Sequence, residues 1–394
     1  MKTMVELVSV RAYRISHLKV LVKDYLGFSG EGGGARRNEN HLEAALAWLC
    51  RAQDANKDGG VAGRYRLDTG WTASYPETTG YIVPTFFDYY RLTRNSEYRD
   101  RALRMADWLV SIQMSDGAFQ GGHIDAAPQP IVFNTAQILK GLVRSYQETA
   151  DERYLQAARR AGDWLVEMQD PDGAWRRCTY RNTPTVYHTT AAWPLLMLHE
   201  VVSKSRYLDC AVRHFDWVCS HRQENGWFSR CAFDEQSNSY THTIAYTLRG
   251  LLEAGLLLKR ERYLDAATSA AEVLLKRFEI RKFLAAQYDD RWKAAATFSC
   301  LTGNAQMAVI WLKLFEQTGD IRYLNAALKI NDNVKSTQDL GSRNGGIRGG
   351  IKGSQPIWGK YIRYGYPNWA AKYFADALML EDRMMQRLEE RMEG

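Results

Sequence analysis

The chain has 394 residues, 45% of them hydrophobic and 25% charged, with 12 tryptophans and 22 tyrosines, the composition of a folded globular protein and not of a disordered one. One hydrophobic core seldom grows past about 250–300 residues, so this length implies several domains or a repeat architecture. The net charge of +7 favours an anionic partner, but Lys and Arg are spread among Asp and Glu with no compact basic run or nucleic-acid motif, which argues against nucleic acid.

In chain order, residues 1–37 read as a helical extension. Met1 to Phe28 mixes charges with apolar residues at helical spacing and lacks the unbroken apolar run of a signal peptide or membrane span, so a cytoplasmic location is expected. The six cysteines (Cys50, Cys178, Cys210, Cys219, Cys231 and Cys300) form no C-x-x-C pair and are expected to be free thiols.

From residue 38 to residue 394 a single domain is expected, because one phrase recurs: Arg/Glu-Tyr-Leu, small residues, Asp-Trp, Gln and a Gly turn. It begins near Glu97, Arg153, Arg206, Arg262 and Arg322, with a degenerate copy at His41, and its tyrosines (Tyr98, Tyr154, Tyr207, Tyr263, Tyr323) lie 56, 53, 56 and 60 residues apart. Each copy is apolar at helical spacing with charges opposite, as a half-exposed helix requires. Between the copies stand segments with few charges, such as TTGYIVPTFFDYY, TTAAWPLLMLHEVV and HTIAYTLRGLLEAGLLL; helices apolar nearly all round must be covered on every side. The alternation predicts an all-α fold, an (α/α)6 toroid of six hairpins with an outer and an inner helix ring, closed where the last inner helix meets the first outer one. Pro84 and Pro194 predict a kink or a shortened first turn in two inner helices.

This repeat resembles the six-hairpin toroid superfamily, which includes toroidal polysaccharide lyases, unsaturated glucuronyl hydrolases and acylglucosamine 2-epimerases; the likeness covers roughly residues 38 to 385. Gln169 to Trp175 is also similar to a phrase of triterpene cyclases, but Asp289-Asp290-Arg291-Trp292 lacks the further carboxylate of their acid cluster.

Aligning the starts of the inner helices yields a column: Glu77, Asn134, His188, His242, Gly303 and Asn368. In a closed ring these positions converge on one mouth, beside backbone N–H groups and the positive helix ends. Asn, Thr and Glu there also serve as ordinary caps, whereas His is not a preferred cap and titrates near neutrality. The resemblance to toroidal lyases implies proton abstraction beside a sugar carboxylate, with His188 or His242 as base, Tyr246 or Tyr187 as proton donor, and Asn134 with Glu77 gripping the carboxylate. Asn368, Gln137, Gln306, Trp71, Tyr75, His123, Asp125, Trp369 and, in the Gly-rich stretch Gly345 to Gly353, Arg348 are candidate substrate contacts. That stretch reads equally as a mobile loop or a substrate lid.

The expected function is therefore a lyase or epimerase acting on an acidic, uronic-acid-containing glycan, with no cofactor or metal implied. Two alternatives stay open. One is a glycoside hydrolase pairing Glu77 with Asp125 or Asp68, since hydrolysis typically uses two carboxylates; the other is a non-catalytic glycan-binding toroid.

Overall fold

The computed structural model describes residues 15–27, 37–234 and 236–393. Of the expected extension over residues 1–37, positions 1–14 and 28–36 lie outside the described residues; within it stands helix α1 (Ile15–Tyr25). The outer helices are α2 (Asn38–Asp54), α4 (Ser96–Ser111), α6 (Glu152–Met168), α8 (Ser205–Ser220), α10 (Glu261–Arg281) and α12 (Ile321–Lys335). The inner helices are α3 (Pro76–Thr93), α5 (Val132–Thr149), α7 (Thr189–Val202), α9 (Thr241–Leu258), α11 (Leu301–Thr318) and α13 (Asn368–Glu393). Each inner helix packs against an inner neighbour on both sides, and α13 closes the ring against α3 and α2. The chain is thus the all-α toroid that the repeat predicts. Helix α3 runs on through Pro84, whereas α7, which carries Pro194, is the shortest inner helix at 14 residues and is entered through a 3-10 turn at Val186–His188.

The recurring phrase is a set of stitches between successive outer helices. Tyr154 donates its hydroxyl to Asp107 of the preceding outer helix at 2.9 Å, Tyr263 to Asp216 at 2.9 Å and Tyr323 to Glu272 at 3.1 Å, while Tyr207 makes the same bond to Asp163. The recurring Gln has an equally local cause. Gln113 Nε2 donates to Ala157 O at 2.9 Å and Gln169 Nε2 to Cys210 O at 2.8 Å, each reaching the next outer helix, and each also holds the carbonyl of its own turn glycine. Each glutamine thus ties the turn that ends its own outer helix to a mid-helix carbonyl of the next one.

The last stitch closes the circle. Gln338 Nε2 donates to His41 O at 3.2 Å and to Gly349 O at 2.7 Å, and Gln338 Oε1 meets His41 Nδ1 at 2.6 Å. Gly349 has φ +81, and a Cβ there would stand 2.2 Å from Ala44 O. Trp48 Nε1 donates to Gly346 O at 2.8 Å. The Gly-rich stretch is therefore packed onto the first outer helix, and its glycines permit that close approach; it does not line the central cavity as a lid would.

Short two- and three-residue strands crown the end of the ring where the inner helices begin. β1 (Arg64–Arg66) pairs with β2 (Gly70–Trp71) and with β7 (Gly365–Pro367), joining the first and last hairpins; β3 (Ser239–Tyr240) pairs with β4 (Gln287–Tyr288), and β5 (Ser299–Cys300) with β6 (Ser354–Gln355). The cysteines form no disulfide.

Gly349→Ala should lose about 1–2 kcal/mol to left-handed backbone strain and a further ~1–3 kcal/mol to the clash with Ala44 O. Gly319→Ala, at φ +70 with nothing within 4 Å, should lose only the first part. Chemical denaturation of both variants measures the difference; equal losses would show that the contact with α2 contributes nothing.

Candidate active site

A cavity of about 680 Å³ opens among the beginnings of the inner helices. Glu77, Asn134, His188 and His242, delivered by four successive inner segments, all line it, although each side chain is itself at most 9% exposed. Gly303 explains how the ring stays narrow beside them: a Cβ there would come within 2.9 Å of His242 N, so α11 approaches the start of α9 only because no side chain intervenes. Asn368, the last member of the column, is turned away. Its Nδ2 donates to Ala62 O at 3.0 Å and Thr78 Oγ1 at 2.8 Å, so it is a structural tie between α13 and the first hairpin and not a cavity residue.

Residues four positions further along a helix lie on the same face one turn deeper. Tyr81 thus stands below Glu77, and Tyr246 below His242, and both line the cavity. The His242 and Tyr246 rings are 4.3 Å apart, and the Tyr246 hydroxyl hydrogen-bonds Tyr373, whose ring lies 5.6 Å from that of Tyr81. Tyr187 and Phe133 form one wall with centroids 5.8 Å apart; Tyr75 and Trp369, at 6.2 Å, form another. Tyr361 closes the cavity beside His242 at 5.4 Å and accepts from Trp369 Nε1 at 2.9 Å.

Burial sets the charges. It pushes the Glu77 carboxyl up to about 8 against the opposing hydrogen bond from Tyr75. It also lowers His242 to about 4, opposed by its bond to Gln306, and lowers His188 to about 3, with His214 adding to the effect. Burial likewise holds Tyr246 and Tyr187 above the usual phenol range. At neutral pH the imidazoles are therefore uncharged and the carboxyl is largely protonated, leaving Lys360 as the charged group among the lining residues.

Gln306 Oε1 lies 2.8 Å from His242 Nδ1. A carbonyl oxygen only accepts, so the proton sits on Nδ1 and Nε2 carries the lone pair. His188 Nδ1 faces Thr185 Oγ1 at 3.2 Å, while its Nε2 is buried without a hydrogen-bond partner among the described residues; Asn134 Nδ2 makes no well-aligned hydrogen bond among them either, although its amide stands beside the Tyr75 hydroxyl. Unsatisfied polar atoms at the edge of a cavity are suited to a ligand that supplies the missing partners.

The remaining expectations divide. Tyr75 and Trp369 line the cavity. Gln306 and His123 stand one layer behind, the latter with its ring 5.1 Å from Tyr75 and its Nε2 3.1 Å from Thr72 Oγ1. Gln137 bridges two inner helices by donating to Thr190 O at 2.8 Å. Trp71 packs on Trp48 and Tyr65 at 5.0 and 5.2 Å, outside the site. Asp125 is exposed and off the lining, Asp68 is paired with Arg66, and Arg348 is exposed with its carbonyl bound by Arg51. The cation that does reach the cavity, Lys360, and the ring of Tyr361 come from an irregular segment, and the ring of Tyr240 from the two-residue strand β3, where no helical register predicts direction. Tyr81 had a usable signal, since it repeats the spacing of His242 to Tyr246.

Among the described residues no group of three or more His, Cys, Asp or Glu side chains is placed to hold a metal ion, and no helix is long and apolar enough to cross a membrane.

Two protein families match parts of the chain: the ulvan lyase N-terminal domain over residues 137–296 and the β-L-arabinofuranosidase GH127 catalytic domain over residues 34–161. No curated protein matches the sequence. Among solved structures, an unsaturated glucuronyl hydrolase specific for heparin superposes with a TM-score of 0.70 at 16% identity, covering 89% of this chain and 98% of that one. Cellobiose 2-epimerase from Bacillus thermoamylovorans B4167 gives 0.70 at 16% identity, with 88% and 98% covered. The unsaturated glucuronyl hydrolase responsible for the degradation of glycosaminoglycan from Bacillus sp. GL1 gives 0.66 at 15% identity, with 87% and 96% covered. The six-hairpin toroid fold is common to all of them and to this chain.

Replacing Glu77 isolates its proton. Because the folded carboxyl titrates near 8 and the unfolded one near 4.5, the folded state binds more protons between those values, and stability falls as pH rises through that window. The stability of the wild type relative to Glu77→Gln should be flat below the ordinary carboxyl range and decline as pH climbs toward about 8. Urea denaturation at a series of pH values tests this; a constant difference would mean that Glu77 ionises normally.

Proposed function

We propose that this six-hairpin toroid is a carbohydrate-active enzyme that removes the proton beside the carboxylate of a uronic-acid unit in an acidic saccharide, as a lyase or an epimerase. The observation that carries this reading is the grouping, in one cavity, of a buried carboxyl, an imidazole whose Nδ1 faces a carbonyl oxygen and a tyrosine ring packed 4.3 Å from that imidazole. Protonated Glu77 and the amide of Asn134 grip the substrate carboxylate without repelling it. His242 Nε2 is the base. Tyr246, held protonated by burial, returns a proton to the leaving oxygen in a lyase; in an epimerase the opposite face of the sugar takes its proton from a donor that does not adjoin the base, a role assigned to Tyr187.

An imidazole titrating near 4 is a weak base in the empty cavity. The incoming carboxylate is an opposite charge that favours the imidazolium, so basicity rises as substrate binds. Lys360 at the rim draws the same charge inward.

A two-carboxylate hydrolase is less well supported, because Asp125 and Asp68 both stand outside the cavity and Glu77 is the carboxylate among its lining residues. The structural neighbours include a glucuronyl hydrolase and an epimerase; uronate recognition and proton transfer at a sugar carbon are each compatible with the fold.

His242→Asn should reduce turnover of the uronic-acid substrate by about 10²- to 10⁴-fold, the usual contribution of a positioned general base, with little change in KM. Gln306→Leu, which removes only the group fixing the tautomer, should reduce it less and shift the pH profile. Absorbance of an unsaturated product in the near ultraviolet identifies a lyase, and deuterium uptake from solvent without chain cleavage identifies an epimerase. Release of a saturated sugar without deuterium at the carbon beside the carboxylate would overturn the proposal.

A further inference from the structure

On the same end of the toroid, but outside the ring of inner helices, lies a second recess of about 490 Å³. It is formed where α1 and the ends of α10 and α12 meet the start of α11. Lys23, Lys282 and Lys329 line it and make no ion pair among the described residues. The acids there are already engaged: Asp24 accepts from buried Lys352 at 2.6 Å, and Asp332 pairs with Lys335 at 2.7 Å. Among the described residues these three lysines are therefore left without an acidic partner.

Its floor carries an independent signal. Asn304, 4% exposed, lines the recess and makes no side-chain hydrogen bond among the described residues, and its Oδ1 is buried without a partner. An amide buried in this way is costly unless something outside the protein satisfies it. Ammonium groups around a recess floored by an amide that both donates and accepts match a ligand that is anionic and rich in hydroxyls. The segment from Lys352 to Ile362 walls both hollows, contributing Lys352 and Gln355 to the recess and Lys360 and Tyr361 to the cavity.

We propose that this recess is a second saccharide site, which holds a carboxylated sugar unit of the acidic polymer while another unit occupies the cavity. The inference rests on the functional reading above for the nature of the polymer.

The test uses the full chain and isothermal titration calorimetry with tetragalacturonate, tetramannuronate and a glucuronate-containing hyaluronan tetrasaccharide, and with inorganic phosphate as the simple anion. At least one tetrasaccharide should bind the wild type. The double variant Lys282→Met/Lys329→Met, which alters exposed side chains, should weaken that binding by about tenfold while leaving Glu77-dependent turnover of a disaccharide unchanged. Asn304→Leu should weaken it too, with thermal denaturation confirming that the variant is folded. Unaltered binding in folded variants, no binding of any tetrasaccharide to the wild type, or phosphate binding as tight as that of the sugars would each overturn the proposal. If the lysine variant loses binding but no proton chemistry is detected with any probe, the recess stands and the reading of the central cavity falls. Proton chemistry with no lysine-dependent binding would sink the recess and leave the cavity's chemistry standing.

Discussion

The contact of Gln338 with His41 and Gly349 closes a ring that would otherwise be an open stack of hairpins. An open solenoid exposes the apolar faces of its terminal repeats; here α13 covers α2 and α3, and those faces disappear into one core. Closure also has a geometric consequence. It makes the starts of the inner helices face one another across a narrow lumen, so residues far apart in sequence become neighbours. The same glutamine and glycine pattern recurs at Gln113 and Gln169, so the outer ring uses one local device to set the spacing of the hairpins it joins there.

A narrow lumen filled with aromatic rings has electrostatic effects that an open cleft would not. Water is displaced, charged forms become unfavourable, and groups that are ordinarily opposite in charge, a glutamic acid and two histidines, all become neutral. In the proposed reaction that inversion matters, because ionised Glu77 would repel a substrate carboxylate, whereas the protonated acid would donate to it. The energy invested in burying these groups comes from the surrounding core, much of it tyrosine and tryptophan, whose rings pack closely while their polar ends bond to one another, Trp369 to Tyr361 and Tyr246 to Tyr373.

The fold was largely legible because its repeat is physical: Tyr154 and Asp107, for example, are bonded across hairpins, and the requirement is renewed at later copies. The column of helix starts was legible for the same reason, and it brought Glu77, Asn134, His188 and His242 to one cavity. Register alone does not reveal which way a side chain turns, and there the sequence misleads. Asn368 shares the column but finds partners in Ala62 and Thr78 behind the ring. Asp125, Trp71 and Arg348 belong to connections, whose paths depend on tertiary packing. Lys360 and Tyr361 were hidden for that reason too, and the Gly-rich stretch looked mobile because its glycines resemble those of a flexible loop, although they serve close packing on α2.

The most direct measurement is a crystal structure of the protein with an unreactive uronic-acid analogue. The sugar should lie in the central cavity with its carboxylate on Glu77 and Asn134 and the adjacent C–H directed at His242 Nε2. A sugar bound with its carboxylate on Lys360 alone and its ring distant from His242, or one bound entirely outside the cavity, would contradict the assignment.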